Sequence, residues 1–282
     1  MAFAGAIALG STGAFYSDSE TSTGNTFTAG AIDLKIDNTS YVTSTSTGQL
    51  VASPSTSWTL KDLTIEKFFN FIDVKPGDIG EDTISIHVGS NNAWMCAAAR
   101  ITSDLDNDIT EPESAEDLAT STFPGAGLGE LDSAINFAFW KDDGDNVLED
   151  NETNSIFLSG PISGLGGAGQ IPLSDSLGLG PFGSTTIPGG STSFIGKAWC
   201  MGTLGNAAVA QDGLGSTTPI TNGPLQRGTG FTCNGASIGN ASQTDSVTGD
   251  LQFYAVQSRN NPGFSCTRDY SPKWPTPVVD EQ

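Results

Sequence analysis

The chain has 282 residues, and its 11 Lys and Arg against 32 Asp and Glu give a formal net charge of −21. Such an acidic protein repels nucleic-acid phosphates and anionic lipid heads, so we expect neither as a partner, whereas divalent cations suit it. An apolar share of 37% with 9% aromatic residues opposes intrinsic disorder and predicts a chain that buries a sizeable core.

The N-terminal segment from Met1 to Gly13 is small, apolar and uncharged. It is too short to cross a bilayer, and it lacks the positively charged start of a complete signal peptide. We interpret residues 1–13 as the remnant of a signal peptide that is cleaved near Gly13–Ala14. The alternative is an apolar strand that stays in the mature protein.

The next segments alternate as β-strands do. Residues 26–37 predict a strand whose phase changes at Gly30, and residues 39–57 predict a Ser/Thr/Gly-rich loop. Residues 63–88 predict a strand, a turn at Pro76–Gly77 and a second strand. In that second strand apolar side chains share one face, and His87 lies on the other face as an ordinary surface or partly buried histidine.

Further strands are predicted at 93–103, 135–140, 191–200 and 249–259. No segment has the pattern of a helix of ordinary length. Short strands separated by Gly-, Ser- and Thr-rich stretches favour an all-β, jelly-roll-like β-sandwich. We therefore predict one domain over residues 30–282, with inserted loops at about 39–57, 103–132, 159–192 and 205–248.

The four cysteines predict disulfide bonds. None of them forms a C-x-x-C pair, and the single histidine has no cysteine nearby, so a zinc site is not expected. Two bridges between four cysteines can be drawn in three ways, of which we favour Cys96–Cys266 with Cys200–Cys233. Disulfides in turn indicate an oxidising compartment outside the cytosol.

The sequence WKDDGDNVLEDNE at 140–152 has the spacing of a calcium-binding EF-hand loop. It departs from that pattern at position 1, where Lys141 stands and Asp142 would substitute. It departs again at position 6, where Asn146 replaces glycine but can adopt the same left-handed conformation. The alternative is a solvated acidic turn. The predicted metal ligands are Asp142, Asp143, Asp145, Val147, Glu149 and Glu152.

A second acidic run, SDLDNDITEPESAED at 103–117, has Asp104, Asp106 and Asp108 at alternate positions. This spacing fits a metal-binding loop less well than that of residues 140–152. We therefore predict a solvated, charged loop here.

Motifs of hydrolytic enzymes are missing from the sequence. It contains neither H-E-x-x-H nor G-x-S-x-G, and His87 is the one histidine that could serve a catalytic triad. We therefore expect a protein that is not an enzyme. Three N-x-[ST] sequons, at Asn38, Asn151 and Asn240, would accept glycans in a lineage that attaches them.

The segment from Thr12 to Asn38 resembles the N-terminus of the TasA/camelysin (CalY) family, whose members are secreted after cleavage by a SipW-type signal peptidase. The segment FFNFIDVKPGDIGEDTISIHV is similar to a second family feature, a VKPGD turn followed by a strand. The two segments cover about 50 residues, and the four cysteines and the acidic DDGDN loop depart from well-known members. In the segment from Thr12 to Asn38 the resemblance is carried by the following residues: Gly13–Ala14, Phe15–Asp18, Thr21, Asn25, Phe27, Ala29, Gly30 and Ile32–Asp33–Leu34.

The resemblance implies a jelly-roll subunit of an extracellular filament in a biofilm matrix. In such fibres one subunit donates its N-terminal strand to the sheet of the next, and non-closing donation builds a polymer. Residues 14–29 would be the donor strand and linker, with Thr21 to Gly24 as the crossing between subunits. The predicted assembly residues are Ala14, Phe15, Tyr16 and Phe27.

Two other functions stay open. One is a monomeric, calcium-stabilised secreted surface or matrix protein whose N-terminal strand pairs within its own sheet. The other is a camelysin-like metalloprotease, which the missing pair of zinc-binding histidines argues against.

Overall fold

A computed structural model describes residues 32–117, 124–165, 167 and 169–274. The predicted signal remnant, the donor strand with its four assembly residues, and the Pro-rich C-terminal tail from residue 275 onward lie outside the described residues. None of the helices in the described part has the length and apolar character needed to span a lipid bilayer.

The described residues form twelve strands, five α-helices of four residues each and two short 3-10 helices, Pro54–Thr56 and Thr153–Ser155. The strands are β1 (Leu34–Thr43), β2 (Leu50–Ala52), β3 (Trp58–Lys61), β4 (Ile79–Val88), β5 (Ala93–Leu105), β6 (Ile135–Asp142), β7 (Ile156–Pro161), β8 (Gln170–Ser174), β9 (Ser191–Met201), β10 (Thr203–Asn206), β11 (Phe231–Asn234) and β12 (Ser246–Gln257). The helices are α1 (Glu111–Ser114), α2 (Leu131–Ala134), α3 (Ile162–Leu165), α4 (Pro224–Arg227) and α5 (Cys266–Asp269).

Two antiparallel sheets form the body of the protein. The larger has the order β2-β1-β4-β9-β6-β7, with β3 also paired to β1, and the smaller has the order β12-β5-β8. A third sheet joins β10 and β11. One buried cluster takes side chains from both main sheets, among them Ile84, Ile195 and Met95. This arrangement confirms the predicted all-β sandwich, while its jelly-roll connectivity stays a prediction.

Side chains along β4 alternate strictly between two faces of the strand, and the two faces have different surroundings. Ile84, Ile86 and Val88 are buried in the core between the sheets, as the sequence predicts. The opposite face is covered around Trp140 of β6, whose indole occupies the space beside Gly196 of β9. A Cβ atom on Gly196 would come within 2.2 Å of that ring, so glycine is required there. This covered outer face carries the acidic site described below.

Both favoured disulfides are present. Cys96 of β5 is bonded to Cys266 of α5, and Cys200 of β9 is bonded to Cys233 of β11. The first bond attaches the C-terminal part of the chain to the smaller sheet. The second attaches the β10–β11 sheet to the larger one.

Several predicted loops contain regular structure. β1 continues through Thr43 into the predicted loop 39–57, because its residues pair in register with β4. β8 lies inside the predicted loop 159–192, where Ile171 and Leu173 supply the buried face that alternation requires. β11 and α4 likewise lie inside the predicted loop 205–248. These short elements are not predicted because Gly and Pro residues interrupt the apolar pattern by which a strand or helix is recognised in sequence.

The reverse error occurs at residues 62–78, where the first strand of the predicted 63–88 pair should lie. This segment is irregular, and the turn at Pro76–Gly77 follows it, with Gly77 at a φ of 93°. Phe68 is buried in the core, whereas Ile65 and Ile72 are each 85% exposed. The apolar run therefore packs one aromatic side chain inward instead of pairing as a strand.

Candidate functional site

The predicted calcium loop begins where β6 ends. The chain turns through Gly144 at a φ of 108° and Asn146 at a φ of 70°, so Asn146 has the left-handed conformation that its side chain allows. Five of the six predicted ligands meet in two groups that share Asp143. In each group the carboxylate oxygens lie within 4.8 Å of one another: Asp142, Asp143 and Glu152 in one, and Asp143, Asp145 and Glu149 in the other.

Each anchored carboxylate in the first group uses one oxygen for a protein hydrogen bond. Thr83 Oγ1 of β4 donates to Asp142 Oδ2 at 2.7 Å, and the Glu149 N–H donates to Glu152 Oε2 at 3.2 Å. Asp142 Oδ1 and Asp143 Oδ1 are buried without a hydrogen-bond partner among the described residues. Carboxylates held by one oxygen with the other free are oriented in the way that second-shell contacts orient metal ligands.

Arg227 of α4 distinguishes the second group from the first. Its guanidinium forms ion pairs with Asp145 at 2.7 Å and Glu149 at 2.6 Å, and with Asp212 at 3.2 Å. No Lys or Arg in the described part of the chain pairs with the carboxylates of the first group. A cation is therefore needed most at Asp142, Asp143 and Glu152.

Glu81 of β4 adds further negative charge beside this loop. It is 0% exposed, and neither of its carboxylate oxygens has a hydrogen-bond partner in the described structure. Burial, followed by the charge of Asp142, raises the pKa of Glu81 well above its usual value. Burial also raises the pKa of Asp142 to about 7 and those of Asp145 and Glu152 to about 8. Buried carboxylates in such numbers require protons or a bound cation to balance them.

The donor set is typical of calcium. All the converging side chains offer oxygen, which Ca²⁺ prefers at six to eight positions, whereas zinc prefers nitrogen and sulfur. Val147 is buried and its N–H donates to Asp145 Oδ1 at 3.0 Å, so only its carbonyl oxygen could serve as a ligand. Lys141 is exposed, with Nζ 5.6 Å from the centre of the Phe182 ring. Asp142, Asp143 and Glu152 are the residues that would hold the ion.

Spacing alone does not identify the supporting residues. Glu81 and Thr83 come from β4, and Arg227 comes from the region predicted as a long loop. One sequence signal points to the first of these, because Glu81 and Asp82 interrupt an otherwise apolar and small strand pattern. Charged residues within a strand that faces a core mark a buried polar site.

A large groove is lined by residues of both main sheets. Its volume is about 1900 Å³, well above the 300–1000 Å³ of ordinary small-molecule pockets. Residues 247–255 of β12 line it together with residues 62–64 and 66–76 and with Trp199 and Met201 of β9. We call this feature the β12 groove. Its aromatic lining includes Phe68, Phe71 and Phe253.

The strand beside this groove is the edge of its sheet. β12 has 12 residues and pairs with β5 along one side, and no described strand pairs with its other side. An edge strand exposes main-chain N–H and C=O groups that another strand can satisfy. The β12 groove therefore combines an edge that no described strand pairs with and a lining that mixes aromatic with polar side chains.

His87 lies in a row of side chains across three strands of the larger sheet. Its Nε2 atom is 2.7 Å from Asp37 Oδ2 of β1, and its Nδ1 atom is 2.9 Å from Thr192 Oγ1 of β9. The row stands on the face opposite Ile86, and it is not part of the β12 groove lining. These bonds fit the ordinary structural role expected of this histidine.

The three sequons differ in accessibility. Asn38 is buried within β1, and its Nδ2 atom donates to the Thr56 carbonyl at 2.7 Å, so a glycan at this sequon would require β1 to open. Asn240 is partly exposed and donates to Glu116 Oε1 at 2.9 Å. Asn151 is exposed and adjoins the acidic loop.

A scan against models of known protein families finds no match for this chain, and a search of curated proteins finds no similar sequence. The features of the described structure that bear on function are the β12 groove, the edge of β12 and the acidic loop 142–152.

Proposed function

We propose that this chain is a structural subunit of an extracellular filament, which polymerises when residues 14–27 of one copy pair with β12 of the next. The observation that carries this proposal is the edge of β12, with which no described strand pairs, beside a groove whose lining includes Phe68, Phe71 and Phe253. Strand addition supplies affinity through main-chain hydrogen bonds, and pockets for alternate side chains supply specificity. Head-to-tail addition between identical chains does not close, so it extends into a fibre.

The lengths of donor and acceptor agree. At 3.3 Å per residue the 12 residues of β12 extend about 40 Å. The segment 14–27 would extend about 46 Å as a strand, so it is long enough to follow most of β12 with Thr21 to Gly24 left as the crossing. Phe15 and Phe27 supply the apolar anchors that the aromatic groove lining would accept.

The acidic loop 142–152 has a supporting role in this proposal. Calcium bound by Asp142, Asp143 and Glu152 would join β6 to β4 through Thr83 and stabilise the outer face of the larger sheet. Extracellular calcium modules bind their ion with dissociation constants of about 10⁻⁴–10⁻³ M, which suits a secreted protein. The two disulfides are compatible with that location.

Electron microscopy of the mature chain tests the proposal. Protein beginning at Ala14 should form fibres in negative stain, and protein lacking residues 14–27 should remain monomeric. A synthetic peptide of residues 14–29 should bind the shortened protein in a one-to-one complex, whereas a scrambled peptide should not. Fibres formed by the shortened protein would refute strand donation.

Single substitutions in the donor segment provide a matched comparison. Phe15→Ala or Phe27→Ala should slow fibre growth, because each removes an anchor, while Thr21→Ala in the crossing should not. If protein beginning at Ala14 stays monomeric at high concentration, the strand occupies its own groove and the chain is a surface protein instead of a filament subunit.

A further inference from the structure

A second group of carboxylates lies at the opposite end of β5 from Cys96. Asp106 follows β5, Glu113 belongs to α1, and Asp245 precedes β12; their carboxylate oxygens lie within 4.8 Å of one another. Residues 103–117 are predicted above as a solvated loop, and this prediction is wrong at its central positions. Asp106 is 3% exposed and Glu113 is 0% exposed.

Two of the three carboxylates are anchored through one oxygen. Glu113 Oε2 accepts from the Thr110 N–H at 3.0 Å, as a capping box requires. Asp245 Oδ2 accepts from the N–H groups of Glu130 and Leu131 at 2.6 and 3.1 Å. Glu113 Oε1 and Asp245 Oδ1 have no hydrogen-bond partner among the described residues. Hydrogen bonds to the helix cap and to the turn therefore explain one oxygen of the Glu113 carboxylate and one of the Asp245 carboxylate, and they leave the second oxygen of each unexplained.

Asp106 has no such explanation. Both of its carboxylate oxygens are buried without a hydrogen-bond partner in the described structure, and it faces Glu113 and Asp245. Removing a charged carboxylate from water costs several kcal/mol unless hydrogen bonds or an opposite charge compensate it. Such a side chain among two other carboxylates indicates a missing positive charge.

The chain itself provides no basic side chain close in sequence. From Ile101 to Trp140 the sequence contains no Lys, Arg or His. None of the ion pairs in the described residues involves Asp106, Glu113 or Asp245, in contrast to the pairing of Asp145 with Arg227. Glu130 adds a fourth carboxylate, whose Oε2 atom is also buried without a hydrogen-bond partner among the described residues. Burial, with nearby acidic groups, raises the pKa of Glu130 to about 7.

We propose that Asp106, Glu113 and Asp245 form a second calcium site, with Glu130 beside it. The ligands are all carboxylate oxygens, which favours a hard divalent cation over zinc or copper. The ion joins the end of β5, helix α1 and the start of β12, which are distant in sequence. This site is separate from the loop 142–152. It adjoins the β12 groove, which Asp245 also lines, but it is inferred without use of the proposed polymerisation.

Calcium counting on the intact, EDTA-stripped protein tests the site. Titration calorimetry of Asp106→Asn should show one calcium fewer per chain than the unsubstituted protein, whether or not the loop 142–152 binds an ion. Asp108→Asn is the matched control, because Asp108 is an exposed carboxylate two residues away, and its calcium count should not change. Glu113→Gln is a second variant that preserves the side-chain oxygen used in the cap.

Thermal unfolding separates a cation site from a merely structural acidic residue. Without calcium, Asp106→Asn should melt at a higher temperature than the unsubstituted protein, because an unpaired buried charge is removed. With calcium at about millimolar concentration the order should reverse. An unchanged calcium count in both Asp106→Asn and Glu113→Gln, or a lower calcium-free melting temperature for Asp106→Asn, would overturn the proposal.

Discussion

Lys197 Nζ lies 2.8 Å from Asp82 Oδ1, and both side chains are completely buried between the sheets. The two residues are opposite each other in the β4–β9 pairing. Lys197 also donates to the Phe68 carbonyl at 2.8 Å and lies 3.5 Å from the centre of the Phe69 ring. One ammonium group thus connects the larger sheet to the irregular segment that lines the β12 groove.

Replacing this lysine should destabilise the fold strongly. Lys197→Met leaves Asp82 as an uncompensated buried charge, and loss of one partner of a buried pair costs about 3–5 kcal/mol. Chemical denaturation followed by tryptophan fluorescence measures the free energy of unfolding. Lys141→Met, at an exposed lysine of the adjacent strand, should change it by less than about 0.5 kcal/mol. Equal effects of the two substitutions would contradict the assigned role of Lys197.

Calcium should stabilise the protein through the loop 142–152. At a calcium concentration about 100 times the dissociation constant, binding adds about 2.7 kcal/mol to the free energy of unfolding. Asp142→Asn should reduce the gain while its side-chain oxygen still accepts from Thr83. Because the second proposed site can also respond to calcium, Asp142→Asn is best measured in an Asp106→Asn background. Asp150→Asn, an exposed neighbour, should retain the gain, and a loss there would argue for general charge screening.

The two disulfides should contribute unequally to stability. Cys96–Cys266 spans 170 residues and Cys200–Cys233 spans 33, so the loop-closure relation assigns them about 5 and about 4 kcal/mol. Paired Cys→Ala variants compared by chemical denaturation check this order. A larger loss for the shorter loop would show that local packing outweighs chain entropy here.

Expression in a glycosylating host should distinguish the sequons. Mass spectrometry should find glycan on Asn151 and none on Asn38, because the Asn38 amide is buried and bonded to the Thr56 carbonyl. Asn38→Ala should cost about 1–3 kcal/mol, since the Thr56 carbonyl loses its donor. Asn151→Ala should leave stability within about 0.5 kcal/mol. Full occupancy of Asn38 would mean that β1 forms differently from the description above.

Local pattern predicts most of the long strands of this fold and only the first part of β1, and it misses the short strands. β4, β5, β6, β9 and β12 contain alternating apolar residues, and each lies close to its predicted position. β8 has only two buried apolar residues, with a proline between them. This alternation is too short for a strand to be recognised from the sequence. The apolar run around Phe68 predicts a strand, but tertiary packing uses it as an aromatic contact to the core instead.

The two acidic sites differ in how far sequence could predict them. The proposed ligands at 142–152 lie in one short stretch of sequence, so their spacing can be recognised as a loop motif. Asp106, Glu113 and Asp245 meet because β12 pairs antiparallel with β5, which places the start of one strand beside the end of the other. Because these three residues come together only through the pairing of distant strands, no local spacing predicts their proximity. The run at 103–117 is therefore predicted as a solvated loop.

The pairing of β1 with β4 has a mechanical consequence in the proposed filament. The donated segment of each subunit leads through Ile32 directly into β1, whose nine registered residue pairs with β4 are antiparallel. A pull on the donated segment along the direction of β1 would draw β1 lengthwise past β4. In that shear geometry the hydrogen bonds of the ladder share the load and must break together, whereas a perpendicular pull would open them one by one. In the proposed filament, the strand that leads to the next subunit would then be held to the sheet along its whole length.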